Sequence, residues 1–334
     1  MRRACVRQGL RPRLLPAFEG EWKAVKELRQ AIAGCLKANG ADLVGFGGME
    51  RFEEPFLREM MPGAKTVICA AFRVLRGAHR GIEDGTTYYQ YATMGVEAME
   101  ENVMPLALLR ACALLEDAGY SALPQRRHQT VMRGEEGTNP EVDFESIMHG
   151  RKTEPELDFD RVAVRCGLGE IGLHGGLLTA EYGPLVRLCA IVTDAALESD
   201  PIAPAHLCDR CGACLRACPG GAIDENGQRD AWQCTVYYHG ANMHKNPFLP
   251  PEAFGADPQR EEILAGRARL SPERAREVIR QIIYYPPVKH GYAASICGRA
   301  CHRACYVHLE ENGKLNRRFV EPLRRRPEWE LPML

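Results

Sequence analysis

Apolar side chains recur at Trp22, Val25, Leu28, Ile32 and Cys35, the three-and-four spacing of a single helix face, and Asn39-Gly40 supplies a stop. The spacing predicts a helix over residues 21–37. The pattern then shortens. Ala41 to Phe46 reads as a brief buried strand, and Pro62-Gly63 turns the chain before a second one, Thr66 to Phe72. Gly77 to Thr87 reads as a loop. From Tyr88-Tyr89-Gln90-Tyr91 to Ala118 the period is helical again, with Met104, Leu108, Ala111 and Leu115 on one face and Gly119 as its end. Tyr120 to Leu123 reads as a third strand and residues 125–160 as polar loops. A further helix is expected within the glycine-bearing stretch Arg161 to Cys189, followed by an apolar strand, Leu188 to Thr193. Strands alternating with helices predict an α/β (α+β) domain over residues 1–200.

From Ser199 the chain changes character. Pro201 and Pro204 precede a segment dense in cysteine, which predicts a second domain over 201–310. A stretch rich in charge and proline, 240–285, interrupts the cysteines and contains one expected helix from Pro272 to Ile283, with Ser271 as its N-cap. Residues 311–334 read as a C-terminal tail.

Composition narrows the picture. The 334 residues are 45% hydrophobic and 26% charged, with a formal net charge of −1. So even a balance gives no reason to expect a nucleic-acid or anionic-membrane partner. No apolar run approaches the roughly 18 residues that span a bilayer. Arg2-Arg3 is not followed by the hydrophobic stretch of a twin-arginine signal, so a cytoplasmic location is expected. Fourteen cysteines are many for such a chain. In a reducing compartment, clustered cysteines mean metal more often than disulfide.

Their distribution is uneven. Cys5, Cys35, Cys69, Cys112, Cys166 and Cys189 are scattered through apolar stretches and read as small buried hydrophobes. The other eight lie between 208 and 305. Cys208-x₂-Cys211-x₂-Cys214-x₃-Cys218-Pro219 is the bacterial ferredoxin spacing, in which three thiolates grip one [4Fe–4S] cluster and the fourth reaches a second. Cys234 and the series Cys297-x₃-Cys301-x₃-Cys305 supply the remaining four. The expected sets are Cys208, Cys211, Cys214 and Cys305 for one cluster, and Cys218, Cys234, Cys297 and Cys301 for the other. Gly212 and Gly220-Gly221 are expected to give the backbone room beside the sulfides. Zinc is the competing metal, but it favours paired C-x₂-C or mixed His/Cys sets.

About 200 residues precede this segment. They contain Gly167-Leu168-Gly169-Glu170-Ile171-Gly172, then Gly175-Gly176-Leu177-Leu178-Thr179, Tyr182-Gly183-Pro184 and Thr193-Asp194. Ahead of the ferredoxin run, this block resembles the corrinoid-dependent iron–sulfur reductases, the epoxyqueuosine reductases and reductive dehalogenases. Cys234-Thr-Val-Tyr237 matches the isolated C-x-x-Y of the former. The resemblance implies a nitroreductase-like cobalamin-binding domain followed by a ferredoxin-like domain with two [4Fe–4S] clusters. It further implies cobalamin held base-off and reduced through the clusters by an external donor such as ferredoxin or flavodoxin. Gly167, Leu168, Gly169 and Gly172 are then expected to line the corrinoid, since glycine lets backbone approach a flat macrocycle.

The proton donor does not carry over. The V-D-T segment of the epoxyqueuosine reductases is absent, Thr153 standing in its place, and Asp158 is a nearby carboxylate. The dehalogenases use a tyrosine, for which Tyr88 and Tyr89 are candidates, with Tyr91 beside them. His302 and His308, among the ligand cysteines, read as polar neighbours, and His128 and His149 as possible cavity residues. The reading is a corrinoid-dependent reductase of unknown small-molecule substrate. Its competitors are an electron-transfer protein or activator without cobalamin, and a cobalamin-processing protein whose substrate is a corrinoid.

Overall fold

The computed structural model describes residues 19–53, 55–86, 90–126, 157–243, 246, 249–282 and 296–325. In chain order the elements are α1 (Glu19–Ala38), β1 (Leu43–Gly48), α2 (Pro55–Met60), β2 (Thr66–Arg73), α3 (Arg76–Glu83), α4 (Met104–Asp117), β3 (Ala122–Arg126) and α5 (Phe159–Arg165). They continue with β4 (Glu170–Ile171), β5 (Leu177–Leu178), β6 (Val186–Thr193), α6 (Ala213–Arg216), α7 (Ala231–Tyr238), α8 (Arg260–Leu264), α9 (Pro272–Arg280) and α10 (Ala300–Glu311). This is a mixed α/β fold. Among the described residues no helix is long and apolar enough to cross a membrane.

Two compact units interleave along the chain. The first takes the described residues up to Phe72, Glu100–Gly169 and Arg187–Pro204. Its two inner strands are unbroken apolar runs rather than alternating ones. Thr66–Phe72 and Arg187–Thr193 are buried throughout, as strands covered on both faces must be. The sheet order is β1-β2-β6-β3, with Gly45 opposite Cys69 and Pro124 opposite Ile191 in antiparallel pairs. Gly45 is needed there, because a Cβ would lie 2.1 Å from the Cys166 carbonyl oxygen. Arg187, the one charge in its run, is matched by buried Glu100, whose Oε1 accepts from its Nε at 2.7 Å. Helix α1 packs against α4 through the face the sequence predicts, with Ile32, Cys35, Leu36, Leu108, Ala111 and Leu115 buried.

The second unit comprises Arg73–Met99, Glu170–Val186 and Ala205 onward. Its main core joins Val74, Ile82, Tyr91, Leu178, Leu185, Leu207, Tyr306 and Leu323. Segments 73–99 and 170–186, which a boundary near residue 200 places with the first domain, therefore pack with the cysteine-bearing unit. The expected loop at 77–87 is largely helix α3. Its glycines at 77 and 81 hide the helical period, while Ala78 and Ile82 enter the core. The helix expected from Tyr88 begins, in the described residues, with two π-helical segments, Tyr91–Glu97 and Met99–Val103, before α4. The interrupting stretch forms a separate core with α7: Leu249, Phe254, Ile263, Leu270 and Val278 are buried together with Val236 and Tyr237 of that helix. Helix α9 starts as predicted, Ser271 Oγ accepting from Arg274 N at 3.3 Å. The expected tail also packs, with Leu315 and Leu323 in the main core.

Candidate metal centre

Cys208 and Cys211 sit on the loop entering α6, Cys214 lies in α6 itself, and Cys305 comes from α10. All four line one cavity, together with Leu173 and His308 among others. The loop bends tightly enough because Arg210 (φ 57°) and Gly212 (φ 74°) take left-handed conformations. Cys214 is buried, Cys208 and Cys305 are half-buried, and Cys211 is exposed. Burial pushes the Cys305 thiol far up, and Cys214, Cys208 and Cys211 add to the shift. Like charges raise one another's proton affinity only at close range, so these four thiols share one environment.

The other four come from more distant places. Cys218 follows α6, Cys234 lies on α7, Cys297 precedes α10 and Cys301 lies in its first turn. Burial, then Cys297, Cys234 and Cys218, push the Cys301 thiol up to about 12, against the opposing charge of Arg299. Cys234 is raised by burial, then by Cys297 and Cys218. Cys301 and Cys305 are four residues apart on one helix, so α10 offers one thiol to each set. The start of α10 is fixed by buried Arg303, which donates to the Cys297 and Gly298 carbonyls at 2.6 Å and to Glu83 Oε1 at 2.6 Å. Glu83 also accepts from Arg324 at 2.7 Å.

The glycines differ from expectation in their reasons. A Cβ at Gly220 would strike the Tyr237 ring at 2.0 Å, so that glycine answers to the C-x-x-Y tyrosine rather than to a sulfide. At Gly167 (φ 81°) a Cβ would lie 2.4 Å from the Pro201 carbonyl oxygen, and at Gly172 it would meet Leu178 and His174. Leu168 packs over Gly45. Gly167, Leu168 and Gly169 belong to the first unit and Gly172 to the second.

Asp158 is the N-cap of α5, accepting from Arg161 N at 3.1 Å. Tyr88, Tyr89, His128 and His149 lie outside the described residues. His302 Nδ1 lies 3.1 Å from the Pro184 carbonyl, and His308 Nε2 is 2.8 Å from Asp209 Oδ2. Hydrogen bonds from His308 and Lys314 hold Asp209 far below the usual carboxylate range. Glu170 and Leu173, which contact the Cys208 segment, were not among the candidates. The available signal was a lone carboxylate inside a glycine block.

No protein-family profile matches the chain. It is 40% identical over 76 residues to the epoxyqueuosine reductase of Synechocystis sp., covering 23% of this chain and 26% of that protein. It is 36% identical over 98 residues to that of Bacillus subtilis, covering 29% and 24%. The chain thus spans about a quarter of the length of these relatives. Among solved structures, an epoxyqueuosine reductase with a tRNA-Tyr epoxyqueuosine-modified stem loop aligns over 87% of this chain and 84% of that one, at 17% identity and TM-score 0.45. The catabolic reductive dehalogenase NpRdhA aligns over 82% and 38%, at 18% identity and TM-score 0.45. The resemblance to the epoxyqueuosine reductases seen in the sequence is borne out. The expectation against nucleic acid is corrected, because a protein named as these relatives are is solved with a tRNA stem loop. Net charge sums over the whole surface and says nothing of local basic patches.

Proposed function

This chain is a relative of the epoxyqueuosine reductases, and from that premise we propose that it is a reductase whose second unit holds two [4Fe–4S] clusters. The observation that supports the proposal best is the cavity lined by Cys208, Cys211, Cys214 and Cys305, beside which Cys297, Cys234 and Cys218 all bear on the Cys301 thiol. Four thiols around one cavity suit the donor set of a cubane cluster. Cys208, Cys211, Cys214 and Cys305 would hold one cluster, and Cys218, Cys234, Cys297 and Cys301 the other, in a ferredoxin-like arrangement. Such clusters pass single electrons. Exposed Cys211 marks the side from which an external donor such as ferredoxin or flavodoxin would deliver them.

Corrinoid is the second cofactor the relatives suggest, base-off in this reading. The Cβ positions of Gly167 and Gly172 are taken by the chain itself, so these two glycines offer no cradle for a macrocycle, and the corrinoid assignment rests on the relatives. The same filling favours the competing reading of an electron-transfer protein without cobalamin. A tRNA stem loop carrying epoxyqueuosine is the first substrate to test.

Anaerobically prepared protein should contain about eight iron and eight sulfide per chain. About four of each would leave one site unbuilt. Cobalamin added before desalting tells the two readings apart, since a corrinoid enzyme would retain about one per chain. Full iron without retained cobalamin would favour the electron-transfer reading.

A further inference from the structure

Glu170 is 7% exposed and opens the short hairpin β4–β5. Its carboxylate accepts three successive backbone N–H groups. His206 N and Leu207 N donate to Oε2 at 2.5 and 3.1 Å, and Cys208 N donates to Oε1 at 2.8 Å. Three residues further on, Leu173 N–H donates to Cys208 Sγ at 3.3 Å. Residues 170–173 therefore hold Cys208 twice, once by its backbone and once by its sulfur. On the other side of the loop, Asp209 Oδ1 accepts from Cys211 N at 3.2 Å, and Lys314 Nζ donates to the Leu207 carbonyl at 3.0 Å.

A buried carboxylate is costly to desolvate, and here its compensation comes from peptide N–H groups of the ligand loop itself. Three donors on two oxygens require that both oxygens accept. Resting on the two-cluster reading, we propose that Glu170 is the positioning residue of the site built on Cys208, Cys211, Cys214 and Cys305. It fixes the 206–208 backbone before metal arrives, and its charge makes that cluster harder to reduce than it would otherwise be. Negative charge beside a redox centre disfavours the added electron, and hydrogen bonds to ligand sulfur act in the opposite sense. The block Gly167 to Gly172, read as a corrinoid motif, thus carries a residue that serves the first cluster.

Glu170→Gln separates the two effects. The amide oxygen can keep the His206 and Leu207 donors, but its NH₂ then confronts the Cys208 N–H and the charge is gone. With iron measured on the same anaerobic preparation, Glu170→Gln should move the midpoint potential of one cluster EPR signal positive and leave the other in place. Glu170→Ala, losing all three acceptor contacts, should lower iron toward half. Should Glu170→Ala not fold, the potential of Glu170→Gln decides alone. Exposed Glu225→Gln serves as a control and should match the wild type. Wild-type iron near eight, with neither potential moved by Glu170→Gln or with both moved together, overturns this inference and leaves the two-cluster reading standing. Wild-type iron of four or less defeats the reading itself.

Discussion

The two units use cysteine differently, and the contrast shows what marks a metal site. In the first unit Cys35, Cys69, Cys112, Cys166 and Cys189 are all buried, each in or at the end of a different element. Cys166 donates from its sulfur to the Val67 carbonyl at 3.3 Å, and burial pushes its thiol up to about 12. In the second unit the eight thiols are mostly half-buried, and burial raises several of them as well. Burial and a raised pKa therefore do not distinguish the two groups. The number of thiols around one point does. In the first unit Cys189 feels one other cysteine, Cys112, whereas Cys305 feels the three of its set first.

The sharpest way to break this contrast is by iron content. Cys211→Ser and Cys297→Ser should each lower iron from about eight to about four per chain, and Cys189→Ala should lower it not at all. Cys305→Ala should abolish the same EPR signal as Cys211→Ser, although the two lie far apart in sequence, and Cys218→Ala should abolish the other. If Cys218→Ala and Cys211→Ser remove the same signal, the crossed arrangement is wrong.

Next in size, among the described residues, are two buried ion pairs, one in each unit. Removing one partner of such a pair costs about 3–5 kcal/mol, because the other charge is left buried. Arg187→Met takes away the guanidinium that pairs with buried Glu100, and Arg303→Met takes one of two from Glu83, which keeps Arg324, while also freeing the Cys297 and Gly298 carbonyls. Both should lower stability in denaturant titrations, Arg187→Met by up to that amount and Arg303→Met by less on the charge alone, because Arg324 still faces Glu83. Only Arg303→Met should also lower iron. Equal iron in the two variants would mean that the start of α10 needs no such clamp.

Acid should separate the units by a smaller margin. Every described histidine lies in the second unit, and burial lowers His79 to about 3, with Arg303 adding to the effect. Folded His79 stays neutral while the unfolded chain takes up a proton below about 6.5. The unfolded state then binds more protons, so stability is full above that pH and falls as pH drops toward 3. The loss is about 1.4 kcal/mol per pH unit for each such histidine. His239 and His302 are lowered by burial in the same direction. Hydrogen exchange at pH 5.5 should show the second unit loosening first, and His79→Phe should make it less sensitive. Exchange that rises equally in both units would remove the histidines as the cause.

What could be read in the sequence was whatever is periodic or tightly spaced. Helix α1, strands β2 and β6, and the Ser271 cap follow from local patterns, and the ferredoxin run fixes three thiols within seven residues. Contacts between remote segments were harder. Nothing local in α3 marks Glu83 as a partner of Arg303, 220 residues away. Two glycines disguised that helix as a loop. Glu170 carries no local mark of its role, since its partners are backbone groups 36 to 38 residues on. The glycines themselves misled, since a missing Cβ looks the same whether a ligand or the chain's own carbonyl takes its place.

The smallest effect tests whether the first unit carries a carboxylate with a task beyond structure. Asp158 caps α5 through its bond from Arg161 N, and its exposed ion pair with the Arg161 side chain at 3.3 Å contributes little. If capping is its whole role, the oxygen matters and the charge does not. Asp158→Asn keeps an acceptor oxygen at the cap and should stay within a few tenths of a kcal/mol of wild type, whereas Asp158→Ala should lose about 1 kcal/mol. Helix α5 ends at Arg165 and leads through Cys166 into Gly167. Thermal melting of the two variants at neutral pH decides the matter. Asparagine as damaging as alanine would mean that the charge itself is needed, and the first unit would then hold an acid whose purpose is not to begin a helix.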